Sequence, residues 1–204
     1  MIYEVLMETA SPDEVVRRIT LPSTKHTPEG ALGVLPAHLN LAVAEVELVA
    51  LFERERRLAR ALAALESDYD LIIVDCPPSL SLLTVNALMA ATDVVVPVDP
   101  GLFPLVGLGI LRRTVEMVRR SNRNLRLTGI LPTFADRTAL FRDSHVQLKA
   151  EFGDLVLPPI PRRVALGEAN AAGRDVFAYA PSSAGARAYR QVADALLQAL
   201  SERQ

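Results

Sequence analysis

The sequence predicts an α/β fold, a mostly parallel sheet with helices on both faces. Two observations carry this. Short apolar runs, "LIIVD" at 71–75 and "DVVVPVD" at 93–99, alternate with helical patterns along the chain. These runs are also nearly continuous in apolar character, as expected of strands covered on both sides. Parallel neighbours of that kind need a crossover helix between them. The 204 residues suffice for one core, and the chain is read as a single domain, 1–204.

The elements follow in order. "YEVLMETASPDEVVRRI" reads as two short helices split at Ser11 and Pro12, where Ser11 caps and Pro12 takes the first helical position. Residues 21–33 form the expected loop, and "LGVLPA" (32–37) a short strand. Residues 40–67 read as helical, with Leu58, Leu62 and Leu65 on one face. A buried strand at 71–75 breaks at Pro77 and Pro78, which introduce a helix over 80–91. Further elements are a buried strand at 93–99, a helix at 105–122 and a strand at 125–133. A helix at 139–153 closes at Gly153, and "LVLPPIP" (155–161) is a short strand. The C-terminal helix carries an apolar stripe of Tyr189, Val192, Leu196, Leu197 and Leu200, read as core rather than membrane anchor.

Composition narrows the function classes. Half the residues are hydrophobic, 23% are charged and the net charge is -2, an ordinary soluble balance. No run approaches the ~18 apolar residues of a membrane span, and the acidic N-terminus does not resemble a signal peptide. Cytoplasmic residence is therefore expected. A lone Cys76 excludes an internal disulfide; a buried spacer after a strand is the preferred reading, a reactive thiol the other. Among the 22 basic residues only Lys25 and Lys149 are lysines. Genome composition accounts for that bias, while a local basic patch stays open.

Ligands of open α/β sheets sit at the carboxyl ends of strands, where this reading places Asp75, Asp99 and Thr133. A strand-end carboxylate suits Mg²⁺, directly or through water; a helix cap or turn is the plain alternative.

"YDLIIVDCPPSLSLLTVNAL" resembles the Walker B and switch II segment of the ParA/Soj partition ATPases, relatives of MinD. "LPAHLNLAVAEVELV", "VVVPVDPGLFPLVGL", "GILPTFADRT" and "IPRRVALGEANAAGRDVFAYAPSSAGARAY" resemble the corresponding family segments in the same order. The resemblance implies a ParA/MinD-like P-loop NTPase fold without its first strand or strands and phosphate loop. Family members carry a KGGxGKT loop whose backbone N–H groups and lysines hold phosphates, and a D-x-D-P-Q switch I segment. No Gly-Lys pair and no such switch I segment occur in the 204 residues. Met1 aligns just after both.

By family position, Asp75 lies near Mg²⁺, Pro77 and Pro78 in switch II, and Thr133, Pro161 and Arg162 on the nucleotide side. The resemblance implies ATP and Mg as family cofactors. Phosphoryl transfer needs loop, lysine and metal together, so this chain is expected to bind neither and to be inactive alone. Arg137 matches a residue of sequence-independent DNA binding. Its second family partner falls on Ala165, with Arg162 and Arg163 close enough to compensate; solvated surface arginines are the alternative. Gly101 and Val106 stand where acidic residues are usual, which puts dimer and switch contacts in doubt. Expected partners are nonspecific DNA bound weakly, a ParB-like protein, and an intact ParA or a second copy, with no membrane and with nucleoid association. Two readings stay open: a partition ATPase with incomplete nucleotide machinery, as a fragment or mis-started frame, or a natural loop-less interaction module. One last expectation concerns the sheet. Without a phosphate-loop strand, residues 71–75 are expected either to pair directly with 94–98 through a right-handed crossover over 80–91, the preferred reading, or to borrow a strand from another molecule.

Overall fold

The computed structural model describes residues 1–21, 30–77, 79, 81–99 and 105–202, and describes the backbone alone at 105–108, 110 and 111. Pro78, Leu80, Lys25, Gly101, most of the loop expected at 21–33 and the side chain of Val106 lie outside the described residues. The chain divides into two compact units, Met1–Thr92 with Val118–Leu125, and Asp93–Met117 with Arg126–Gln204.

The first unit opens with α1 (Ile2–Leu6) and α2 (Pro12–Val15). The split falls where expected: Ser11 and Glu14 form a reciprocal capping box and Pro12 occupies the first turn. The second helix is shorter than the sequence reading, because Val16 is extended and β1 (Arg17–Leu21) begins at once. β1 pairs antiparallel with β2 (Gly30–Val34), from Arg17 opposite Val34 to Leu21 opposite Gly30. The expected strand at 32–37 thus starts and ends earlier.

The helical span at 40–67 is broken into α3 (Leu41–Leu48) and α4 (Arg57–Ala63). Between them Glu53 has a positive φ of 49°, and Arg54 donates to the Val49 carbonyl at 2.7 Å, closing α3. α4 has no capping side chain of its own. Asn86, on α5 (Leu82–Ala90), supplies one: its Oδ1 accepts from Leu58 N at 3.2 Å, and its Nδ2 donates to Arg54 O at 2.7 Å. Leu58 and Leu65 are buried, and Leu62 packs with Leu58, Leu6 and Ala87, so the expected apolar face holds. Asn122 closes the other end of α5, donating to Leu88 O, Met89 O and Ala91 O.

The strand expected at 71–75 is not formed. Leu71, Ile72, Ile73 and Val74 are exposed, Ile73 to 83%. No backbone–backbone hydrogen bond involves residues 71–77 among the described residues. A continuous apolar run has the composition of a central strand, but such a strand exists only through hydrogen-bonded neighbours. The expected pairing with 94–98 is absent as well, since β3 (Asp93–Val98) pairs with β4 (Arg126–Pro132). Cys76 is consequently exposed rather than a buried spacer. Partial desolvation, and then the Asp75 carboxylate, raise its thiol above the ordinary value, which disfavours the reactive thiolate.

The second unit is the parallel α/β core. β3 and β4 run parallel and are joined through α6 (Leu105–Val118). A register shift between Val94 and Val95 leaves Thr128 as the extra residue of β4. Asp93 accepts there from Thr128 Oγ1 and Arg126 Nε, both at 2.6 Å, while Arg126 also donates to Ala199 O. Successive residues of β4 serve opposite faces. Ile130 packs with Val98 and with Leu148 and Phe152 of α7 (Ala139–Phe152); Leu131 packs with Ile160 and with Ala188 and Val192 of α10 (Ala184–Ser201). Helices therefore cover both faces, as the fold class required. Gly153, at φ 54°, closes α7 as expected.

Residues 155–161 run beside β4 through Leu157 N to Ile130 O and Ile160 N to Pro132 O. Only isolated parallel bridges form, at Val156 and Pro161, because Pro158, Pro159 and Pro161 lack the N–H a ladder needs. Gly129 lets this segment close in: a Cβ there would lie 2.5 Å from Leu157 Cδ1. Two short helices, α8 (Val164–Ala171) and α9 (Val176–Tyr179), precede α10 and were not legible as helices. On α10, Val192 and Leu196 join the core, but Tyr189 and Leu197 are exposed, so only part of the expected stripe is core. No helix among the described residues is long and apolar enough to cross a membrane.

Candidate functional site

In the second unit the loop after β4 runs beside the segment at 158–162, next to the carboxyl end of β3 at Val98. Thr133 is fastened to the end of β3: its N and Oγ1 both donate to Val98 O, at 2.7 and 3.0 Å. The chain then turns through Phe134, whose φ of 53° is rare for an aromatic residue. Ala135 bridges Pro161 in parallel, with Ala135 N donating to Ile160 O and Arg162 N to Ala135 O, each at 2.9 Å. This ladder sets Pro161 and Arg162 beside Ala135, two residues along the chain from Thr133.

Charge is concentrated on the same loops. Arg162 stacks over Phe134, 5.0 Å from the ring centroid, and Phe134 itself is 52% exposed. Arg163 Nη1 donates to Arg162 O at 2.8 Å. Arg137 is exposed, with no hydrogen-bond or ion-pair partner among the described residues. Ala165 sits on α8 and contributes no charge. The one carboxylate on the loop, Asp136, is turned to local use: it accepts from Thr138 Oγ1 at 2.6 Å and Thr138 N at 3.0 Å, while Thr138 caps α7 by accepting from Phe141 N. Sequence reading missed Phe134. Its only signal was an aromatic residue ahead of "ADRT", and neither its positive φ nor its arginine partner is visible in that.

Those hydrogen bonds from Thr138, and to a lesser degree the Arg162 charge, hold the Asp136 carboxyl below its ordinary value. A group whose folded value is depressed stabilises the fold above the ordinary carboxylate range, and that contribution disappears as pH falls through the lower folded value. The Asp136–Thr138 turn should therefore stay intact at neutral pH and release only in acid. An NMR titration following the Thr138 amide is expected to show a midpoint below ~3.9, the ordinary aspartate value. A midpoint at or above that value would contradict the geometry.

Asp75 and Pro77 belong to the first unit. Both are exposed, and Asp75 lies on the irregular 71–77 segment instead of at a strand end. Among the described residues no group of three or more His, Cys, Asp or Glu side chains is placed to hold a metal ion. Asp75 by itself, on an unpaired segment, offers a Mg-nucleotide neither a fixed ligand direction nor a phosphate cradle.

The fold and the loops define a class first. Residues 1–127 match the family model described as an AAA domain. A solved structure of a Mycobacterium smegmatis protein, described as cobyrinic acid a,c-diamide synthase with bound ADP and magnesium, superposes with a TM-score of 0.77 at 37% identity, covering 100% of this chain and 73% of that one. The sporulation initiation inhibitor protein Soj of Bacillus subtilis is 40% identical over 195 residues, 94% of this chain and 74% of Soj. The chromosome partitioning protein ParA of Caulobacter vibrioides is 37% identical over 208 residues, 100% of this chain and 75% of ParA. The chain belongs to the ParA/Soj family of MinD-like partition ATPases.

Proposed function

We propose that this chain is a DNA-associated partition protein whose 204 residues carry the DNA side of the family's machinery but do not bind or hydrolyse ATP by themselves. The observation that carries the first half is the paired loop, where Arg137, Arg162 and Arg163 are exposed and the local carboxylate, Asp136, is committed to Thr138. Exposed guanidinium groups without acidic partners suit phosphates, and the sequence-independent character of the binding is carried over from the family position of Arg137. The second half is supported by the absence of a Gly-Lys pair in the sequence and by the exposed, unpaired setting of Asp75. A ParB-like protein and a second ParA chain are the partners this reading implies, and association with the nucleoid follows from it.

The test is a gel-shift series on mixed-sequence duplex DNA across salt. Arg137→Ala is expected to weaken binding at every sequence and to reduce the salt slope by about one unit. Unchanged affinity and slope would remove Arg137 from the interface.

A further inference from the structure

The geometry points to a second phosphate-binding patch, formed by Arg174, Arg187 and Arg190 around the loop at 178–182. The inference rests on the DNA reading above and deepens it. The three residues come from two places, the turn after α8 and the first half of α10, yet they converge on one short backbone stretch. Arg174 Nη2 donates to Ala178 O at 2.9 Å, Arg190 Nη1 to Pro181 O at 3.4 Å, and Arg187 Nη1 makes a short bond to Ser182 O. Arg190 also lies over the Phe177 ring, 5.1 Å from its centroid.

Each of the three donates to a carbonyl of this one short loop, and like Arg137, Arg162 and Arg163 none of them pairs with a carboxylate among the described residues. Arg18, Arg54, Arg57, Arg60, Arg112 and Arg126 each pair with a carboxylate. Arg174, Arg187 and Arg190 pair with none among the described residues and are exposed. The nearby acids are engaged elsewhere: Asp175 caps α9 by accepting from Ala178 N at 2.8 Å, and Glu168 accepts from Tyr179 Oη at 3.5 Å. Asp194 lies one turn beyond Arg190 on α10 and forms no ion pair with it among the described residues. A guanidinium has five donors. One or two bonds to carbonyls fix its direction while the remaining N–H groups face outward with the charge unspent, so less entropy is lost when a phosphate arrives. Three such groups on one loop match the sugar-phosphate backbone of duplex DNA. They also supply charge that the loss of an arginine at Ala165 removes from the family pair. An anionic membrane is the competing source of phosphate, which a vesicle arm distinguishes from duplex DNA.

The experiment is fluorescence anisotropy of a labelled mixed-sequence duplex against the 204-residue chain over a salt series, with anionic phosphatidylserine vesicles as a parallel arm. The variant R174Q/R187Q/R190Q keeps a donor at each position and removes the charge. It is expected to reduce the slope of log K against log salt by about two to three units, and the corresponding triple lysine variant to retain it. If the glutamine triple fails to fold by circular dichroism, Arg187→Gln alone is expected to lose about one unit. A wild-type slope in a folded glutamine variant, alongside a reduced slope in Arg137→Ala, would overturn the patch and leave the family reading standing. No duplex binding by the wild-type chain at low salt would overturn both, as would binding to the vesicles alone.

Discussion

Replacing Asn86 with alanine is expected to destabilise the chain by about 2–4 kcal/mol. Asn86 is 1% exposed and does the work of two caps. Its Oδ1 satisfies Leu58 N at the start of α4, and its Nδ2 satisfies Arg54 O in the turn before it, with a third bond to Leu82 O on its own helix. Truncation leaves a buried donor and a carbonyl without partners, at about 1–3 kcal/mol each when water cannot enter. The loss is a large fraction of the ~5–15 kcal/mol that holds an ordinary domain. Asn86→Asp keeps the acceptor but sets a buried carboxylate against the Arg54 and Leu82 carbonyls, and should cost at least as much. Urea unfolding measures both, and a loss below about 0.5 kcal/mol for Asn86→Ala would mean that α4 is not capped from α5.

The second large effect is one of contrast. Ile73→Lys is expected to leave stability within about 0.5 kcal/mol of the parent, because Ile73 is exposed and its segment has no strand neighbour. In the central strand that the sequence suggested, a buried unpaired lysine would cost several kcal/mol and prevent folding. The same substitution should reduce self-association, since an exposed apolar run with unpaired backbone groups is a template for strand addition. Denaturation and light scattering on the two proteins separate these cases. A chain that no longer folds would place Ile73 inside a sheet.

How far the sequence was legible follows from how local each signal is. The cap at Ser11, the closing Gly153, the apolar face of Leu58, Leu62 and Leu65, and the runs that became β3 and β4 all rest on neighbours close in the chain, and the structure forms each of them. The failures are the features that need a distant partner. "LIIVD" has the composition of a buried strand, but composition cannot supply a ladder. The break between α3 and α4 depends on Asn86, some thirty residues away, and no periodicity at 40–67 announces it. Prolines inside "LVLPPIP" reduce a strand to two bridges. For the candidate site, the family resemblance named Thr133, Pro161, Arg162, Arg163 and Arg137, and the second unit holds all five, with Pro161 and Arg162 paired to Ala135. Phe134 escaped it because its role comes from a backbone angle and a stacking partner.

The account turns on the claim that these 204 residues hold a partition-family fold without an autonomous nucleotide site. Isothermal titration of the chain with Mg-ATP tests that most directly. The prediction is no saturable heat at ligand concentrations up to the millimolar range. A dissociation constant at or below the micromolar range would contradict it, and would require a phosphate cradle that neither the sequence nor the setting of Asp75 provides.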